Sequence, residues 1–173
     1  MPRAISVLFI AVLAAFTLAA CGGSEDSSPP SKAEYQQEYK DLSAQLEKVG
    51  REVGKAVNQS SGKSNKELKK TFGEVADQTR EIAQKFDDAT PPNDPKIETQ
   101  VAKLVAGLKI AADDLDAIST AAGKNNLRAA GEAAGKLTRD NAKVAEPKQE
   151  LDLLVLGIKP AQPQTTTTTT KKK

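Results

Sequence analysis

Four stretches of this chain repeat an apolar residue every three or four positions, the spacing that lines one stripe of an α-helix. The first runs Tyr35, Tyr39, Leu42, Leu46, Val49, Val53, Ala56. The second runs Leu68, Phe72, Val75, Thr79, Ile82, Phe86, Ala89. The third runs Ile97, Val101, Leu104, Leu108, Ala111, Leu115, Ile118, Ala122. The fourth, from Leu127 through Ala130, Ala134, Leu137, Val144, Leu151 and Val155 to Ile158, carries Asn141 and Lys148 on the same spacing. A helix with one apolar stripe must bury it against a neighbour, so the pattern demands helix on helix.

Start and stop signals bracket the stripes. Ser31 with Glu34, and Ser64 with Glu67, have the spacing of a capping box. Asp94-Pro95 offers an N-cap acid and a proline at the first helical position. Stops are expected near Asn58, at Thr90-Pro91-Pro92 and at Gly123. Pro147 is expected to kink the fourth helix. Its end, Leu151 to Ile158, is rich enough in Leu and Val to pass for a strand, and helix is the favoured reading. Short connections make sequential helices antiparallel neighbours. The expected fold is all-α: an antiparallel up-down four-helix bundle over residues 31–158. Aromatic residues are 3% and Trp is absent. The core must therefore be mostly Leu, Val, Ile and Ala.

Outside the stripes the composition changes. Met1-Pro2-Arg3 precedes an apolar run from Ala4 to Ala20, the layout of a secretory signal. The run ends in Leu18-Ala19-Ala20-Cys21. This ending resembles the lipobox of bacterial lipoproteins, Leu-(Ala/Ser)-(Gly/Ala)-Cys. The resemblance covers the first two dozen residues. It implies that the Cys21 thiol receives a diacylglyceryl group and that a signal peptidase cuts between Ala20 and Cys21. Residues 1–20 would then be a lipoprotein signal peptide. An ordinary cleaved signal with a chance cysteine is one alternative. An uncleaved anchor is another, the run being at the short limit of about 17 residues for a span. Residues 21–30 are Gly, Ser, Glu, Asp and Pro after Cys21, and are expected to form a flexible tether. Residues 159–173, with six threonines and Lys171, Lys172 and Lys173, are expected to be a disordered tail. Its basic tip suits anionic lipid or wall polymer, although a merely solvated tail is the blander expectation.

Several function classes have no support. The net charge is +2, and the terminal lysines supply the excess, so nothing argues for nucleic acid. There is one cysteine and no histidine. That removes internal disulfides and every histidine-based triad or metal site. No phosphate-binding glycine loop or nucleophile elbow is present. No catalytic residue, cofactor or metal is assigned.

The remaining candidates each have a plain competitor. Asp113, Asp114 and Asp116, with Asp87 and Asp88, are acidic enough for calcium, but a wet helix face is the simpler expectation. Gly50 and Gly54, and Gly131 and Gly135, stand one turn apart and would let the first and fourth helices approach closely. Tyr35 and Tyr39 are expected in the core, their hydroxyls reaching water. Thr79 and Asn141 are expected to line a cavity or to fix helix register. The functional expectation is a membrane-anchored extracytoplasmic lipoprotein, a non-enzymatic binding or structural module of the cell envelope. Its partners would be the membrane, through lipid on Cys21, and an envelope protein or wall polymer. The alternative is a ligand-sensing bundle working with a membrane partner, marked by a polar-lined cavity near Thr79 or Asn141.

Overall fold

The computed structural model describes residues 30–158. The expected signal peptide, most of the tether including Cys21, and the tail lie outside them. Ser31 and Ser64 cap α1 (Lys32–Asn58) and α2 (Asn65–Asp88), each accepting from the backbone N–H three residues on while Glu34 or Glu67 reaches back. α3 (Pro95–Gly123) starts on Asp94 with its proline in the first turn. The fourth rod is broken into α4 (Leu127–Asp140) and α5 (Ala142–Leu151), and ends in a π-helical turn, Asp152–Leu156. Gly157, at φ 72°, closes it. The described chain is all-α, in up-down order.

One boundary expectation holds and another needs correction. α3 stops at Gly123 as expected, and the left-handed position that follows is Asn125, at φ 54°. Asn enters that region more readily than most non-glycine residues, and its Oδ1 here accepts from Asn65 Nδ2 at 2.6 Å. The interruption of the fourth rod falls at Asn141 rather than Pro147, which lies buried inside α5. A proline at 147 has no N–H for the Lys143 carbonyl. That carbonyl instead lies against Gly107 of α3, so close that a Cβ at Gly107 would stand 2.3 Å from the oxygen. The glycine that permits close helix approach is therefore Gly107, which no stripe flagged.

The rods are packed unequally. α3 packs on α2, α4 and α5, whereas α1 packs on α2 and on the π-helical turn. α1 and α4 barely approach one another. The bundle is thus closed at one end and open at the other. At the closed end Tyr35, Tyr39, Phe86, Ile97, Leu104, Leu151 and Val155 share one core. Gln36 Nε2 donates to the Val155 carbonyl at 3.1 Å there, tying the start of α1 to the end of the fourth rod. At the open end a smaller core gathers Ala56, Phe72, Val75, Leu115 and Ile118, with Val53 and Leu137 only partly covered. α4 contributes no fully buried side chain, and Leu127, an expected stripe residue, is 67% exposed. Ile158, the other end of that stripe, is also exposed.

Candidate functional site

The gap between α1 and α4 is the principal concavity with an apolar lining. Its inner part is a slot of about 140 Å³ formed by Leu46, Val49, Gly50 and Val53 of α1, Thr79 of α2, Leu108, Ala111 and Leu115 of α3, and Leu137, Asn141 and Val144 of the fourth rod. Its outer part is a mouth of about 290 Å³ at the open end, lined by Val57, Leu68, Phe72, Ile118, Ala122, Leu127, Ala130, Gly131 and Ala134, with Ser60 and Ser61 on the rim. Val53 and Val57 are one turn apart on α1, as are Leu137 and Ala134 on α4. Slot and mouth therefore follow one another along the same gap, the seam, with no lining residue in common.

One glycine of each pair, Gly50 and Gly131, lines this seam, and neither pair closes it. Nothing lies within 4 Å of where a Cβ would sit at Gly50, Gly54 or Gly131, and at Gly135 only Arg139 of its own helix does. The close packing of the first and fourth helices expected from these pairs is overturned. Small residues on facing helices give contact only if the helices meet, and α4 is held on α3 instead.

Thr79 and Asn141 both border the slot, but neither makes it polar. Thr79 is buried, and its hydroxyl donates to the Val75 carbonyl at 2.7 Å within its own helix. That bond satisfies the group locally and fixes no register. Asn141 is exposed at the helix break, contrary to the buried position expected of it, and its carbonyl accepts from Val144 and Ala145 N–H. The cavity stands where a sensing bundle was expected to have one, yet its walls are hydrocarbon.

The tyrosines are core residues, as expected, but their hydroxyls do not reach water. Both rings are fully buried. Tyr39 Oη donates to Asp152 Oδ1 at 2.8 Å, while Tyr35 Oη is buried with no hydrogen-bond partner among the described residues. Burial pushes the Tyr35 phenol up to about 12, with the Glu38 charge adding to it. Tyr39 is pushed up further, by burial first and then by its bond to Asp152.

The aspartates scatter. Asp113 and Asp116 both pair with Arg80, and Asp87 pairs with Lys109 at 3.1 Å. Asp88 accepts from Gln84 Nε2 at 2.8 Å. Asp114 is not on a wet face: it is 3% exposed and meets Lys136 of α4 at 2.5 Å. The cause is that α3 is covered on several sides, so its buried arc is wider than one stripe. The uninterrupted run Leu104-Val105-Ala106-Gly107-Leu108 was the available signal for that breadth. Lys136 also meets Asp140, whose carboxyl the ammoniums of Lys143 and Lys136 hold below the usual range. Among the described residues no group of three or more acidic or thiol side chains is placed to hold a metal ion. No helix among them is long and apolar enough to cross a membrane.

No family model, curated protein or solved structure matches the chain, so the seam's own chemistry must carry its functional reading.

Proposed function

We propose that this chain is a membrane-anchored extracytoplasmic lipoprotein whose bundle is a non-enzymatic binding module for apolar ligands. The observation that carries the binding part is the open seam between α1 and α4. Water gains little in an apolar slot with few polar partners, whereas an apolar cavity of about 150 Å³ is large enough to take a small hydrocarbon. Hydrophobic lining with few polar groups is the usual composition of a small-molecule site. The anchoring part rests on the resemblance of Leu18-Ala19-Ala20-Cys21 to a lipobox. Two or three acyl chains on Cys21 would hold the protein stably, where a single chain would not.

The two parts have separate tests. In cells fed an alkyne-tagged palmitate, the chain is expected to take up label and to begin at Cys21. Cys21→Ala is expected to remain unlabelled and uncut at this position; label retained in that variant would defeat the anchor. Binding is tested with N-phenylnaphthylamine, an uncharged dye that brightens in apolar surroundings. A saturable rise at one dye per chain is expected, and Gly50→Leu together with Gly131→Leu is expected to remove it while helicity persists. A dye response unaltered by filling both glycine positions would defeat the binding reading.

A further inference from the structure

The charge of the bundle is divided along its axis. At the closed end, segments 30–41, 85–98 and 146–158 hold five basic and ten acidic residues. At the open end, segments 55–70 and 120–132 hold seven basic and two acidic. The basic end is the one that carries the apolar mouth. Lys63, Lys69, Lys124 and Arg128 belong to the two loops and helix starts that frame it. Lys63, Lys69 and Lys124 form no ion pair among the described residues, whereas Arg128 pairs with Glu132 and the helix surfaces farther from the mouth carry pairs such as Lys85–Glu81 and Lys143–Asp140. At the lip, Leu127 and Val57 are 67% and 43% exposed.

We propose that the mouth takes the acyl chain of a single anionic amphiphile, such as a long-chain fatty acid, with its head among these cations. This rests on the apolar-binding reading above and names the ligand class for the same seam. Size chooses between occupants. A partner helix is about 10 Å across, and the 140 Å³ slot cannot seat one. A file of methylenes fits the mouth of about 290 Å³, where Phe72, Ile118 and Ala134 form its apolar floor. Charge chooses the head. A carboxylate at the lip meets a local excess of lysine while its chain leaves water, at about 0.8 kcal/mol per methylene buried. Position chooses a single molecule over a bilayer surface. The start of α1 lies at the acidic closed end, so a chain held through Cys21 turns that end toward its own membrane and the basic mouth away from it.

The test uses the mature lipoprotein, held by its own anchor in phosphatidylcholine vesicles. It is exposed to a diazirine-bearing palmitate, or to the uncharged glyceryl ester of the same acid, and irradiated. Crosslinks are then mapped to peptides. The palmitate is expected to mark the peptides spanning 55–72 and 127–137 at least fivefold more than the ester does. The double variant Lys63→Glu, Lys124→Glu is expected to lose that preference at unchanged melting temperature. Gly131→Leu is expected to lose the marks outright. Equal marking by palmitate and ester would overturn the charge selection while leaving apolar binding intact. No marking in the seam by either probe would overturn both readings. Marks spread over both ends of the bundle would mean bilayer contact and would overturn the single-molecule site.

Discussion

Tyr35 and Tyr39 carry opposite expectations although they are one turn apart. Removing a buried hydroxyl that lacks a partner relieves a desolvation cost, so Tyr35→Phe is expected to raise stability by about 1 kcal/mol. Tyr39→Phe removes the donor to Asp152 and is expected to lower it by about 1–2 kcal/mol, urea denaturation reading both. Each phenol titrates higher in the fold than in the unfolded chain, where the value is about 10. Their contribution is therefore full below pH 10 and is lost as pH rises beyond it. Alkaline unfolding is expected to begin there and to begin later in Tyr35→Phe. The glycines divide in the same way. Gly107→Ala drives a Cβ into the Lys143 carbonyl and is expected to cost about 3 kcal/mol. Gly50→Ala and Gly131→Ala meet open space in exposed helix and are each expected to add about 0.5–1 kcal/mol. Sequence spacing singled out Gly50 and Gly131 and passed over Gly107. Spacing along one helix says nothing of which neighbour arrives, and here the neighbour is a carbonyl released by a proline forty residues away.

Among the elements, the starts of the first three helices were legible to the residue, while α2 ends at Asp88, just short of the expected stop. Ser31, Ser64 and Asp94 are local devices, each satisfying orphan N–H groups within three residues of itself, so no tertiary knowledge is needed to place them. Ser31→Ala and Ser64→Ala are each expected to cost about 1 kcal/mol in thermal unfolding. The hydroxyl and backbone N–H of the serine hold Glu34 and Glu67 below the usual carboxylate range. A depressed carboxyl supports the fold above its unfolded value and loses that support as pH falls through the folded one. Helix content is thus expected to hold from neutral pH to about 5 and to fall below about 4. The fourth rod was harder to read. Half of its stripe over α4 is alanine, Ala130 and Ala134, which fits a shallow seat on α3 as well as a place in a core. Nothing in the stripe distinguishes a helix that closes a bundle from one that leans on a single neighbour.

At the scale of the molecule, the sequence announces a bundle but not the seam. The seam is a failure of two well-formed helices to meet, and it depends on where α3 holds α4. Both ends of the described chain emerge at the closed end, where Tyr39 and Gln36 grip the last turn. The open end is left basic and lipped by Leu127 and Val57, and the slot bordered by Leu115 and Leu137 lies next along the gap. That asymmetry joins the anchor proposed at Cys21 to the site proposed at the other end. It rests on the slot being empty of protein and accessible. Methyl NMR of the isotope-labelled chain under xenon pressure reads this directly, since xenon enters apolar cavities of this size. Saturable shifts are expected at Val53, Leu108, Leu115 and Leu137, with Ile97, Leu104 and Leu151 of the closed core unmoved. No shift at the first four, or equal shifts in both groups, would contradict the open seam.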